Sequence, residues 1–590
     1  MDVMMRDKVL KSVGKSLFVL CSAVFISLSF TVDIDFNNSD LSDVIKPKHQ
    51  LLANSVSTLD PAPPALMVGK LSDAFDEYAQ DVVSQRGVSD ERVVELGQLL
   101  GSDPSNYDEG FIEQNFDDVF VQEKLKENTG WMIGRSWDSY ADFEKNLKEK
   151  VTEVNGSVLS EYGISSDQVN YILPQVMQVG APDWLKTGLM AWLIFGFAVL
   201  GGVLFALPVA FKQEGIHNDH VFHNKSQTRH YPAIIVFICL LVFYIVLYQL
   251  PAYLTNQVVL LKPLAEILSG SASDRWFLYG FLYTIAMTTM GFKMMLKYRG
   301  NQYQQVRTVS VLFFQIAFAF TLPQILTSFQ LPAYDFKSAW PLDYSFFFDY
   351  RVDEYLNEGT LGVFLFAWGV VLFAVGVPIL TYFYGKRWYC SWVCGCGGLA
   401  ETVGDPYRHL SDKRLGAWKI ERILVHAVLV FAVLMTIWVS YTTFTGTSVL
   451  LGINSYDVRS IYGFSIGFVF AGAVGTGFYP IMGNRVWCRF GCPLAAYLGL
   501  VQRFKSRFRI TTNGGQCISC GNCSTHCEMG IDVRWYAQRG QNIVRSSCVG
   551  CGVCSAVCPR GVLKLENKDE EGRINNNPIL IGREGATLNL

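Results

Sequence analysis

The residues best equipped for chemistry are two cysteine runs near the C-terminus. They are Cys517-x2-Cys520-x2-Cys523-x3-Cys527 and Cys548-x2-Cys551-x2-Cys554-x3-Cys558, the second followed by Pro559. Three thiolates on a tight C-x2-C-x2-C loop reach three irons of one 4Fe-4S cube, whereas the fourth cysteine lies too far along and ligates the neighbouring cube. The spacing therefore predicts two clusters with crossed ligands. Cluster 1 takes Cys517, Cys520, Cys523 and Cys558; cluster 2 takes Cys548, Cys551, Cys554 and Cys527. Zinc sites use two C-x2-C pairs or mixed Cys/His sets, which the doubled run does not resemble. Glu528 follows Cys527 where Pro559 follows Cys558, which softens one turn and removes no ligand.

A second cysteine pattern occurs twice. Gly385-Lys-Arg387-Trp-Tyr-Cys390-Ser-Trp-Val-Cys394-Gly-Cys396 and Gly483-Asn-Arg485-Val-Trp-Cys488-Arg-Phe-Gly-Cys492-Pro493 both read G-x-R-x-aromatic-C-x3-C. Each lies at the end of an apolar segment, so the pattern reads as a duplicated helix-plus-loop unit that brings four thiols to one depth. If helical, C-x3-C sets both sulfurs on one face, which suits a shared metal or a dithiol-disulfide couple. Cys390, Cys394, Cys488 and Cys492 are thus candidates for a third redox or metal centre, with Cys396 as a spare fifth thiol; small buried packing cysteines are the plain alternative. Arg387 and Arg485 suit both stabilisation of thiolates and anchoring at the membrane surface.

Other candidates are weaker. His426 lies inside an apolar segment, where an ionisable group is a candidate for quinone binding, proton transfer or metal ligation, but its place near the helix end favours a plain role. No second span offers a histidine, so a bis-histidine haem is not expected. His217, His220 and His223 recur every third residue in a polar loop and read as solvated. Gln315 and Gln324 could bond a quinone ring, although ties between helices are the commoner use of such residues.

The elements that position these groups are membrane helices. Of 590 residues, 50% are hydrophobic, 14% aromatic and only 17% charged, and the mean hydropathy is positive. A soluble protein does not have this composition, and nothing in it points to nucleic acid; membrane lipid is the expected surrounding. Stretches long enough to cross a bilayer, about twenty helical residues, lie near 15–32, 188–211, 231–250, 276–296, 308–329, 360–384, 422–444 and 461–483, eight spans in all. Basic residues after alternate spans (Lys212, Arg229; Lys297, Arg299; Lys386, Arg387; Arg485, Arg503, Arg507) place those loops and both termini in the cytoplasm. The first span follows a basic start without an Ala-x-Ala site and reads as an uncleaved anchor. Of the fifteen cysteines only Cys21 and Cys239 precede Cys390, so the polar stretch 33–186 holds no disulfide framework.

The fold expected is an all-α polytopic membrane protein with a cytoplasmic two-cluster ferredoxin domain and a helical extracytoplasmic domain. The divisions are an anchor at 1–32, an extracytoplasmic domain at 33–186 with amphipathic stretches at 71–83 and 137–154, and a membrane domain at 187–483 carrying the motif 385–396. A basic juxtamembrane segment at 484–510 carrying 488–492, a ferredoxin domain at 511–566 and a polar tail at 567–590 complete the chain. Stretch 33–186 has no C-x-x-C-H and no clustered histidine, so it reads as a docking or sensing domain.

Over residues 360 to 566 the combination of two C-x3-C motifs and two cysteine runs resembles the membrane-bound polyferredoxin family of the NapH, NosR and CcoG type. The resemblance implies electron transfer between quinol or a cytosolic donor and a respiratory partner at a bacterial inner membrane. It also allows an assembly or regulatory reductase of metal or thiol, or a redox sensor. It supports ligand roles for Cys517 through Cys558 and redox importance for Cys390, Cys394, Cys488 and Cys492. Two departures stand out: Gly395 and Cys396 follow the first pair where the family has C-x3-C-P, and 33–186 lacks a flavin-attachment S/T-G-A-T motif; the Gly585-Ala-Thr587 of the tail reads as chance.

Overall fold

The computed structural model describes residues 3–36, 41, 44–46, 49–100, 106–133, 135, 137, 140–211, 231–446, 449–450, 452–513, 516–567, 581–582 and 585–586. His217, His220 and His223 and most of the tail lie outside them. The chain divides into two compact units, one of Met1–Ala23, Met190–Gln249 and Leu261–Leu590, the other of Val24–Leu189 and Leu250–Leu260.

Seven helices among the described residues are long and apolar enough to cross a membrane, which makes this a multi-pass membrane protein. They are α1 (Met5–Thr31), α2 (Leu189–Val209), α3 (Tyr231–Gln249), α5 (Gln302–Ser328), α6 (Gly359–Tyr384), α7 (Leu415–Thr445) and α8 (Ser455–Gly477). The eighth span expected, 276–296, falls in a 23-residue helix, α4 (Arg275–Lys297), that is less apolar than the others. Thr284, Thr288, Thr289, Lys293 and the four residues Tyr279, Gly280, Tyr283 and Gly291 lower its hydropathy. The apolar faces of the seven are largely exposed, as helices solvated by lipid must be.

Beyond α8 a helix, α9 (Pro493–Lys505), leads into a small module closed by the antiparallel pair β1 (Phe508–Thr512) and β2 (Leu563–Asn567), with Ile510 opposite Leu565. Between these strands the two cysteine runs fold alike. Each C-x2-C loop turns at residues of positive φ, Ser519 (61°) and Gly521 (79°) in the first, Gly550 (63°) and Gly552 (77°) in the second, and then enters a one-turn helix. Left-handed turns of this kind aim successive N–H groups into one concavity, which suits a negatively charged centre.

The other unit is helical. Leu71, Phe75 and Tyr78 are buried on helix Pro64–Arg86, and Phe143, Leu147, Val151, Val154 and Val158 on helix Tyr140–Glu161, the i, i+3/i+4 spacing that defines one apolar face. Segment 250–260, assigned from sequence to the membrane domain, belongs to this unit instead. Buried Asn256 donates to Leu28 O and Val32 O at 2.8 and 2.9 Å, and Gln257 donates to Phe25 O at 2.9 Å. Leu28 is among the last four residues of α1, whose carbonyls have no partner within the helix, and the Asn256 amide supplies one.

Candidate functional site

The folded module gathers its eight cysteines into two groups of four. Cys517, Cys520, Cys523 and Cys558 line one cavity. Cys527, Cys548, Cys551 and Cys554 line a second. Glu528 is the one carboxylate in either lining and is paired with Arg485 at 3.0 Å, so the thiols are the ligands left, four in each cavity, the composition that 4Fe-4S clusters take. The last cysteine of each run also accepts a backbone N–H four residues on, from Ile531 at 3.4 Å to Cys527 Sγ and from Val562 at 3.3 Å to Cys558 Sγ. Burial pushes the Cys523 thiol up to about 12 and the Cys548 thiol to about 11, and raises Cys527, Cys551 and Cys554 as well. Ligation as thiolate therefore releases protons on cluster loading.

The second cavity is clamped from several sides. Tyr303 Oη donates to Gly550 O and Gln304 Nε2 to Cys551 O, both at 2.8 Å, from the first turn of α5. Ser391 Oγ donates to Val549 O at 2.7 Å and Gln502 Nε2 to Cys548 O at 2.9 Å. Every carbonyl from Cys548 to Cys551 thus has a fixed donor.

The repeated motifs do not place their cysteines on one helical face, contrary to the expectation from C-x3-C. In both, the helix breaks between the two sulfurs: Cys390 ends the short helix Arg387–Cys390, and Cys488 lies in the wide turn Trp487–Gly491. Cys394 and Cys492 then become N-cap residues of the helices Gly395–Thr402 and Pro493–Lys505. The break is the same in both copies, since Cys394 N bonds Tyr389 O at 2.8 Å and Cys492 N bonds Trp487 O at 2.9 Å, each an i to i−5 bond. Gly395 takes the first helical position that Pro493 holds in the second copy. Cys390, Cys394, Cys488 and Cys492 are all buried and belong to one apolar cluster, with Cys396 packed against it.

The two repeat arginines diverge. Arg387 turns away, stacking 4.7 Å over Phe508 and donating to Asn567 Oδ1 at 2.8 Å. Arg485 is buried at the centre of an ion network: Nη1 lies 3.8 Å from Cys488 Sγ and 3.1 Å from Cys390 O, and Nη2 lies 2.8 Å from Glu401 Oε1 and 3.0 Å from Glu528 Oε1. Arg307 and Arg408 donate to Glu401 Oε2 at 2.8 and 2.7 Å, and Arg408 Nη1 is 3.6 Å from Glu528 Oε2. Burial alone would raise the Glu401 carboxyl, but the three guanidiniums outweigh it and hold the group well below its usual range. Burial raises Glu528.

Glu401, Glu528 and Cys551 bring ligand atoms within 4.8 Å of one another. A cation is not needed there, because three arginines already neutralise two carboxylates and leave positive charge over. That surplus lies between Cys488 and Cys551, where negatively charged centres would need it. Sequence reasoning missed Arg307, Glu401 and Arg408, whose only signal was charge inside or beside apolar segments. It also took Glu528 for a softened turn, whereas this residue is fully buried in the network. Gln315 is a tie between elements: Nε2 donates to Val393 O at 2.6 Å and Oε1 accepts from Tyr283 at 3.3 Å. His426 is half-buried on α7 and makes no hydrogen bond or ion pair among the described residues.

Apolar spans, a clamped module and two thiol-lined cavities define a membrane-bound iron-sulfur protein. The family described as "4Fe-4S binding domain" matches twice, at residues 366–417 and 462–511, and that described as "4Fe-4S dicluster domain" matches 509–559. The chain is 29% identical over 157 residues to YccM of Escherichia coli (strain K12), whose name ascribes electron transport to it, across 25% of this chain and 43% of that one. It is 26% identical over 175 residues to the methylamine utilization ferredoxin-type protein MauN of Methylobacillus flagellatus, and 27% over 171 residues to MauN of Paracoccus denitrificans. Each match covers 26% of this chain and 53% of the relative. The chain thus spans about half the length of the curated relatives it matches. No solved structure matches it. The chain thus carries 4Fe-4S binding and dicluster domains and is similar to ferredoxin-type and electron-transport proteins.

Proposed function

We propose that the protein is a membrane electron conduit with three iron-sulfur centres. Cluster 1 is held by Cys517, Cys520, Cys523 and Cys558, cluster 2 by Cys548, Cys551, Cys554 and Cys527, and a third centre by Cys390, Cys394, Cys488 and Cys492. The observation that carries this reading is the pair of cavities, each lined by three cysteines of one run and the fourth of the other. Burial of the repeat thiols in one cluster, with Arg485 reaching both Cys488 and the carboxylates beside Cys551, supports the third centre. Electrons pass singly between a quinol or cytosolic donor and a respiratory partner, and the protein fixes distance, potential and access.

The ferredoxin module faces the cytoplasm of a bacterial inner membrane, and segment 33–186 lies outside, in keeping with the basic residues around 485–509. This arrangement needs α4 to cross as well. Its 23 residues give about 34 Å of helix, and its last residue, Lys297, pairs with Asp405 at 2.8 Å, beside the network under the clusters.

The test is anaerobic paramagnetic resonance before and after a menaquinol or ubiquinol analogue. Reduced-cluster signals on quinol addition are expected. Clusters that respond only to dithionite would overturn the quinol assignment and favour the second reading, a metal or thiol reductase serving another membrane complex. The neighbouring Cys396 thiol lowers the Cys394 thiol and is itself raised by it, an asymmetry that suits that alternative.

A further inference from the structure

The two cluster cavities differ in what surrounds them. A Cβ added at Gly550 would meet Arg387 Cβ at 2.5 Å, and one at Gly552 would meet Tyr303 Cε1 at 2.7 Å, so the second loop is sealed against other elements. A Cβ added at Gly521 would meet only Arg534 Nη1, at 3.9 Å. Cys520 and Ile518 (53%) are exposed, and so is Trp535 (43%) on the helix Val533–Gln538, which Gln538 ties to Ser519 of the same loop at 2.8 Å.

The open cavity has a basic rim. Arg534 and Arg560 line it and are exposed. Arg539 stacks 4.0 Å over the Trp535 ring. The module's nearby acids turn to inward partners: Asp532 accepts from Ser524 Oγ at 2.6 Å and Glu566 from Thr511 Oγ1 at 2.8 Å.

We propose that Ile518, Cys520, Arg534, Trp535, Arg539 and Arg560 form the docking surface for a small acidic electron-carrier protein, which exchanges one electron with cluster 1. The proposal rests on the reading of Cys517, Cys520, Cys523 and Cys558 as ligands. An exposed aliphatic and aromatic centre ringed by arginines has the anatomy of a protein contact. The arginines steer an acidic partner and make its association fast at low salt. One electron leaves the carrier, which is oxidised, and one enters cluster 1, which is reduced; no bond, proton or group is transferred. A bilayer laid on the same rim would close the one open approach to Cys520, so a protein partner fits better than lipid.

The test is stopped-flow reduction of the full-length protein in nanodiscs by a reduced plant-type ferredoxin, a small acidic carrier. The rate is expected to fall at least about tenfold between about 20 and about 300 mM ionic strength. Arg534→Glu with Arg560→Glu lowers the low-salt rate about tenfold, while dithionite still reduces the full cluster complement. Arg539→Glu, which lies off the cavity, gives the same direction of change if the double variant loses cluster 1. A salt-independent rate, or charge-reversed variants at the wild-type rate, overturns the proposal. So does a rate abolished when phosphatidylglycerol replaces phosphatidylcholine, since the rim would then be a lipid site. Absence of any cluster signal with dithionite would instead remove the ligand assignment beneath it.

Discussion

Single residues decide which cube is which. If the ligands cross, Cys527→Ser alters the same resonance as Cys548→Ser and leaves the signal shared by Cys517 and Cys520 intact; an effect of Cys527→Ser on the Cys517 signal would show uncrossed ligation. Glu401 sets an acid limit. Its carboxyl is depressed in the folded state, so the stability it adds is complete above the ordinary carboxylate value of 4.5 and is lost as pH falls through the lower folded value. The apparent melting temperature should therefore drop on acidification below about pH 4.5 more steeply in the wild type than in Glu401→Gln; parallel curves would contradict the assignment. The cluster cysteines were legible in the sequence because their geometry is local, three ligands within seven residues. Glu401 was not, since its partners Arg307, Arg408 and Arg485 lie on three other segments and only the fold brings them together.

At the scale of elements, the ends of the membrane helices hold the second cysteine loop. Gln304→Leu leaves Cys551 O without its donor, at a cost of about 1–3 kcal/mol. It should raise the rate at which a protease releases the module, measured by limited proteolysis in detergent, with cluster 1 less affected than cluster 2; unchanged cleavage would show that the clamp does not matter. Arg485→Met removes the guanidinium between two buried carboxylates and should destabilise the protein by about 3–5 kcal/mol. Arg485→Lys keeps the charge but loses the fork and should be milder. Equal melting of the two variants would argue against charge as the cause. The duplicated motif was visible as a repeat, yet its local shape was not. C-x3-C reads as one helical face, and the break arises because Cys394 and Cys492 cap the helices that follow. Such caps depend on the next element's direction, which spacing does not encode.

Over the whole molecule, hydropathy alone identified the seven spans, because each is a long apolar run that needs no tertiary information. It counted α4 as an eighth span, a helix less apolar than the seven, and did not show the joining of 250–260 to 24–189, which rests on buried amides rather than on composition. Sidedness is the next quantity to fix. Protease added to inverted membrane vesicles should cut the ferredoxin module, and protease added to spheroplasts should cut only within 33–186; the reverse pattern would invert the topology. A three-centre conduit holds about twelve irons where a two-centre one holds about eight, a difference that chemical iron counting joined to paramagnetic resonance of the anaerobically purified full-length protein resolves. About twelve irons per chain are predicted, falling to about eight in Cys390→Ser with Cys488→Ser while both module signals persist. About eight irons in the wild type, unchanged by that double substitution, would contradict the third centre and leave the repeated cysteines outside the electron path.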